Sequence, residues 1–363
     1  MIYLDANATE PLRPEARAAV LAALDLVGNP SSVHGAGRAA RRVLEDSRES
    51  VAARFGAAPA DVVFTAGGTE ANAAAIHGLG RGRRVIAGAT EHDAVLRAAD
   101  TPVLLPVDHD GIADLPALER MLADSPPALV CLMAANNETG AVQPVAEAAA
   151  LCRAHGALLH VDAVQAAGRI PFDLRAAGAD SAALSAHKLG GPKGAGAILL
   201  RPGLHLPALV SGGGQERGRR GGTESLPAIA GFAAAAHAAG DASALAELRD
   251  AAEAACVAAG AIVVGGAAPR LPNTTCLALP GVRADTQVIA LDLAGIAVSA
   301  GAACSSGKVA RSRVIDAMGL PDLAGCAIRV SLPWNATASD IVAFTEAYAR
   351  MAARLRSSAL AEG

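Results

Sequence analysis

Lysine and aromatic side chains are scarce in this chain of 363 residues. Of 31 basic residues only three are lysines (Lys188, Lys193 and Lys308), which leaves 28 arginines. Aromatics make up 2% of the positions, so core volume must come from Leu, Val, Ile and Ala. That composition also argues against a stacking surface for single-stranded nucleic acid. The formal net charge of −4 implies no basic face, and no nucleic-acid partner is expected. None of the six cysteines forms a C-x-x-C pair, so zinc-site and thioredoxin-like signatures are missing, and their density is too low for a disulfide framework. Four of them (Cys131, Cys152, Cys256, Cys276) sit among Ala, Leu and Val and read as small buried hydrophobes. A reducing cytoplasm fits this usage. The N-terminus, Met-Ile-Tyr-Leu-Asp, has no basic start ahead of an apolar run, so no signal peptide is expected. No apolar stretch reaches membrane-span length, and no membrane partner is expected.

What is present is a β/α rhythm. Short, continuous apolar runs at Asp61–Ala66, Arg84–Ala87, Pro102–Leu105, Ala128–Ala134, Ala157–Val161, Ser181–Ser185 and Gly196–Leu200 predict strands covered on both faces. Helical stretches such as Arg38–Phe55, Leu115–Ala123 and Val145–His155 separate several of them. The pattern predicts an α/β fold around a largely parallel sheet. After about residue 225 it changes. An Ala-rich stretch from Pro227 to Ala258 predicts one or two helices. Shorter runs (Ala261–Gly265, Thr274–Leu279, Ala327–Leu332) and a last helix over Ser339–Arg356 then predict a smaller α/β domain.

Four places could carry chemistry. Two of the three lysines lie in Ser-Ala-His-Lys-Leu-Gly-Gly-Pro-Lys-Gly, around Lys188, and only an amine can lose its proton and form a Schiff base. Codon bias that thinned the lysines would leave the same pattern. Asp162 closes a predicted buried strand, where open α/β sheets bind ligands. Its carboxylate could hold a pyridinium N–H or could simply cap the next turn. In Phe64-Thr-Ala-Gly-Gly-Thr-Glu-Ala-Asn a strand, two glycines and a helix start would aim backbone N–H groups at an anion. The alternative is an ordinary helix capped by Thr69. Cys304 sits among small residues in Ser-Ala-Gly-Ala-Ala-Cys-Ser-Ser-Gly, as a nucleophile in an exposed, mobile loop or as an incidental turn cysteine. Together, an anion cup, an acid at a strand end and a lysine in a Gly-rich loop are the parts a pyridoxal-phosphate site requires.

The ordered segments extend this. Tyr3-Leu-Asp-Ala-Asn-Ala-Thr, Gly28-Asn-Pro-Ser-Ser-Val-His-Gly, Glu91-His-Asp-Ala-Val, Asn136-Asn-Glu-Thr-Gly, His160-Val-Asp-Ala-Val-Gln, Gly212–Glu224, Ser299–Gly307 and Arg329-Val-Ser-Leu follow one another through nearly the whole chain. With them the sequence resembles the cysteine desulfurases, a branch of the class V aminotransferase family. The resemblance implies the type I pyridoxal-phosphate fold, with a mostly parallel seven-stranded-type sheet. A large cofactor-binding domain would span residues 14–245, and a small domain would combine 1–13 with 246–363 and carry the Cys304 loop. It implies that Lys188 is joined to pyridoxal 5'-phosphate, that Asp162 pairs with the ring nitrogen and that Gln165 meets the ring hydroxyl. His92 would stack on the ring and move protons. Gly68, Thr69, Ser185 and His187 would hold the phosphate, with Thr223 arriving from the other subunit of a homodimer. Asn137 would contact cofactor or substrate, and Arg329 would bind the substrate carboxylate, with Asn7 beside it. His34 and Arg220 match motifs near the site.

The implied reaction takes sulfur from L-cysteine, yields L-alanine and leaves a persulfide on Cys304 for an acceptor such as an iron–sulfur scaffold. No metal enters the desulfurase chemistry, although Cys304 could meet a cluster during transfer. Selenocysteine lyase or another class V aminotransferase-family enzyme is the alternative. Glu10 stands where family members often carry Thr or Ser, and Lys-Val-Ala-Arg follows the Cys304 loop in place of the run common in well-known members.

Overall fold

The computed structural model describes residues 1–123, 127–301 and 311–361. Cys304 and the loop expected to be mobile therefore lie outside the described residues. In chain order the strands are β1 (Ile2–Tyr3), β2 (Val62–Thr65), β3 (Arg84–Gly88), β4 (Val103–Leu105), β5 (Ala128–Met133), β6 (Leu158–Asp162), β7 (Ser181–Ser185), β8 (Gly196–Leu200), β9 (Ile262–Val263), β10 (Thr274–Ala278), β11 (Ile296–Ala297), β12 (Ser299–Ala300) and β13 (Ala327–Ser331).

All seven strands expected between residues 61 and 200 form, and all join one sheet in the order β2-β8-β7-β6-β5-β3-β4. Only β8 runs antiparallel to its neighbours. The remaining pairs are parallel. Continuous apolar runs form here because successive side chains enter opposite cores. On β5, Leu129 and Cys131 pack with Ile76 and Ala183 on one face. Val130 and Leu132 pack with Leu44, Phe55 and Phe232 on the other. Helices Gly35–Arg54 and Leu226–Ala238 cover the second face, and Gly68–Leu79 covers the first. Alanine permits this close layering: Ala71 and Ala75 bring the last helix down onto the strands.

The edges of the elements differ slightly from expectation. Pro59–Asp61 forms a short 3-10 turn, so β2 begins after Asp61. The stretch 227–258 is two helices, Leu226–Ala238 and Leu245–Ala258. Four further strands form an antiparallel sheet, β12-β13-β10-β9. The long helix Ala338–Ala361 packs beside it, with Phe344, Tyr348 and Met351 meeting Leu277, Ile328 and Cys256. The first residues belong to this core too: β1 pairs with β11, and Leu4 is buried in the same cluster. Cys131, Cys152, Cys256 and Cys276 are all buried, as their neighbours in sequence implied. No helix among the described residues is long and apolar enough to cross a membrane.

Candidate active site

In an open α/β sheet, loops at the carboxyl ends of the strands surround a crevice. Here five such ends converge. Asp162 ends β6 and Ser185 ends β7, while Gly68 and Thr69 follow β2, His92 follows β3 and Asn137 follows β5. Together with Asn7, Gln165, His187, Lys188 and Arg329 they line one cavity of about 250 Å³. Thr223 does not line it in this chain and is exposed. His34 is also elsewhere, accepting from the Gly37 N–H at 3.3 Å as the cap of its helix. Arg220 pairs with Glu70, at 2.9 Å, behind the first turn of helix Gly68–Leu79.

The cup is built from missing side chains. Helix Gly68–Leu79 starts after Gly67, so no side chain closes its first turn. Thr69 therefore lies inside that turn and is not the cap. A Cβ on Gly68 would fall 2.7 Å from Val164 Cγ2 and 3.4 Å from Ser185 Cβ, so the cradle stays open only to glycine. A Cβ on Gly196 would fall 2.6 Å from the Gly67 backbone, so β8 can pass beside the cup only at a glycine. An open first turn with a positive dipole end is a ready anion site.

Beneath the cavity, a chain of hydrogen bonds fixes the acid. Asn72 Nδ2 donates to Asp162 Oδ2 at 2.8 Å, and the Val164 N–H donates to Oδ1 at 3.0 Å. Asn72 Oδ1 then accepts from His160 Nε2 at 2.9 Å. The ring proton must therefore sit on Nε2, and His160 Nδ1 accepts from the Ser181 hydroxyl at 2.8 Å. Burial pushes His160 down to about 3, which keeps it neutral. Glu91 lies nearby and is buried. Burial and then the Asp162 charge push its carboxyl well above the usual range. Neither Asn72 nor His160 was singled out from the sequence. A polar residue at the centre of an apolar strand, as His160 is, was the available signal.

The lysine side is equally constrained. Lys188 ends the 3-10 turn Ala186–Lys188 directly after β7, and its Nζ donates to the Asn7 carbonyl. The same carbonyl accepts from Gln165 Nε2 at 3.0 Å. Gln165 Oε1 accepts from Arg169 at 2.7 Å, and Arg169 is fully buried. Asn7 thus offers its backbone to the cavity, while its side-chain amide donates to the Asn137 carbonyl and Thr274. His187 Nδ1 donates to Thr9 Oγ1 at 3.2 Å, because that hydroxyl already donates to the Ala8 carbonyl. Burial first, then Lys188, Lys193 and Arg169, push His187 down to about 4. His92 Nδ1 accepts from the Ala94 N–H at 3.0 Å, which fixes the ring at the start of a short helix. Arg329 reaches the cavity from β13. It donates to Asp5 Oδ1 at 2.6 Å and to the Asn137 carbonyl at 3.1 Å.

A buried acid, an amine and an anion cup in one cavity define what known proteins should share with this chain. The family model for class-V aminotransferases matches residues 2–344. The chain belongs to that family, among its cysteine desulfurases. A cysteine desulfurase of Cereibacter sphaeroides is 45% identical over 94% of this chain and 92% of its own. An IscS-like cysteine desulfurase of Mycobacterium tuberculosis is 37% identical over 99% and 98%. Among solved structures, a NifS-like protein from Rickettsia africae is 33% identical, covers 97% of this chain and 99% of its own, and superposes with a TM-score of 0.90. The fold is thus the type I α/β architecture of these enzymes.

Members of this family work with pyridoxal phosphate, and the residues present fit it. The open cradle at Gly68 would take a phosphate, Asp162 would face a ring nitrogen with its carboxylate, and Lys188 would supply the amine.

Proposed function

We propose that this chain is a cysteine desulfurase that takes sulfur from L-cysteine, releases L-alanine and leaves a persulfide on Cys304. What supports the reading most is the single cavity on which Lys188, Asp162, His92 and Arg329 converge. When bound, pyridoxal phosphate supplies an aldehyde for the substrate amine and a protonated ring that accepts electrons from the α-carbon. Lys188 would hold that group and, once freed, carry the α-proton. Asp162, fixed by Asn72 and Val164, would keep the ring nitrogen protonated. Gln165 would donate its second amide N–H to the ring hydroxyl. The cup at Gly68 and Thr69, with Ser185 and His187, would hold the phosphate. Thr223 would join it from the second subunit of a homodimer.

Arg329 would receive the substrate carboxylate. It has three N–H groups left after Asp5 and Asn137, and its buried Nε has no partner among the described residues. His92, whose Nδ1 accepts from the Ala94 N–H, would carry its ring proton on Nε2 and act there as the acid that supplies a proton. Cys304 as thiolate would attack the substrate sulfur, forming the S–S bond as the Cβ–S bond breaks. The released electron pair goes to Cβ, where a proton completes L-alanine. A related solved protein, 28% identical with a TM-score of 0.81, carries cysteine as its complex partner, which fits the same substrate here. We further propose a large domain of residues 14–245 and a small one of 1–13 with 246–363. A cytoplasmic setting and a sulfur-acceptor protein such as an iron–sulfur scaffold complete the reading. Incubation with L-cysteine should yield alanine and add one sulfur to the peptide bearing Cys304. Alanine without any modified Cys304, in the absence of other thiols, would overturn the nucleophile assignment.

A further inference from the structure

Arg329 is buried, yet one of its two acceptors is a carboxylate of the chain itself. Asp5 is fixed from both sides. Its Oδ1 takes Arg329 Nη2 at 2.6 Å, and its Oδ2 takes the Ser299 hydroxyl at 2.8 Å. Ser299 opens β12, whose residues pair with Arg329 and Ile328 of β13. The Asp5 backbone in turn bridges to Ser331 two residues further along β13. Asp5, Ser299 and Arg329 are therefore one stack across three chain segments, and the guanidinium is its inner end. The Asn137 carbonyl holds the other arm at 3.1 Å.

We infer that Asp5 is a positioning residue that aims Arg329 at the substrate carboxylate, with Ser299 holding Asp5 in turn. The inference deepens the reading of Arg329 given above and rests on it. Two fixed acceptors leave the guanidinium plane no freedom to turn, while three N–H groups remain for a two-pronged carboxylate contact. Asp5 also carries a negative charge, which would repel an incoming carboxylate. Its side chain is 17% exposed, so that repulsion is partly screened, whereas orientation of the buried fork has no substitute. Orientation is the larger effect, and loss of Asp5 weakens carboxylate capture.

The test uses the cofactor-loaded protein and two amines with no sulfur to lose, L-alanine and ethylamine, titrated by the absorbance of the cofactor. Only L-alanine has a carboxylate, so the ratio of the two dissociation constants isolates the Arg329 contact. Asp5→Ala should cut the preference for L-alanine by about tenfold or more, with ethylamine unchanged. Asp5→Glu should recover part of it, and Ser299→Ala should cost about threefold. Asp5→Asn, which keeps the shape, serves if Asp5→Ala fails to fold, and should reduce the preference at least about threefold. A preference kept within about twofold in Asp5→Ala or Asp5→Asn, an equal loss for both amines, or tighter L-alanine binding overturns the inference. Arg329→Lys separates the two levels. If it abolishes the preference and the Asp5 variants do not, only the Asp5 inference falls. If it leaves the preference intact, the carboxylate is held elsewhere and both readings fall.

Discussion

The two walls of the cavity are built in different ways. On the cofactor wall, Asp162, Ser185 and Lys188 stand on or directly after neighbouring parallel strands, and one large core holds them. On the wall proposed to take the substrate, Arg329, Asp5 and Asn7 come from segments more than 300 residues apart, and their polar groups meet through an ion pair and hydrogen bonds above the apolar contact of Leu4 with Ile328 and Val330. The first wall is fixed by burial of apolar surface, the second by a seam of polar contacts. Burial is non-directional and shared among many neighbours, whereas a polar seam fails one bond at a time. Damage to the first wall should therefore be chemical, and damage to the second should appear as lost affinity and orientation.

Three changes on the cofactor wall sharpen this contrast. Lys188→Ala should have the largest effect: turnover of L-cysteine falls by at least about a thousandfold, and borohydride no longer fixes cofactor to the chain. Fixation that persists at Lys193 would relocate the site. Asp162→Asn comes next, with kcat down about a hundredfold and cofactor still bound, because the carboxylate no longer favours a protonated ring nitrogen. An unchanged kcat would remove Asp162 from the chemistry.

The smallest effect is on stability and concerns His160. Its folded pKa, about 3, lies below its ordinary value of 6.5. An unfolded chain binds the proton near pH 6.5, while the folded one does so only near 3. Stability from this group is thus full above pH 6.5 and falls as pH drops towards 3, by about 1.4 kcal/mol per pH unit. Chemical denaturation of a His160→Gln variant between pH 6.5 and 4 should show a shallower decline than the parent. Parallel curves would mean that His160 takes up a proton while folded.

Much of the first wall was legible in the sequence. Each of the seven strands is a run of apolar residues too short for a helix, and a strand buried on both faces needs nothing else. Asp162, Lys188 and the paired glycines were legible because they punctuate those runs. The second wall was not. No local pattern tells that Asp5 would meet Arg329, or that the amide of Asn7 would be spent on Thr274 and Asn137. Those bonds depend on how β1 returns to β11, a pairing across the whole chain. Thr69 was legible as a helix start but two residues too far along, since Gly67 takes the cap position. Glu91 and His160 are polar residues whose charged forms burial opposes, and burial is a property of the assembled fold.

The bare contact between Gly67 and Gly196 has a practical corollary. Gly67 leads into the helix that would face the phosphate, and Gly196 leads out of the loop that carries Lys188. With no side chain between them, the distance from anion to amine is set by main chain against main chain, as in a riveted joint. Anyone grafting this site onto another scaffold would have to transplant the two loops as a single part, because neither keeps its spacing without the other.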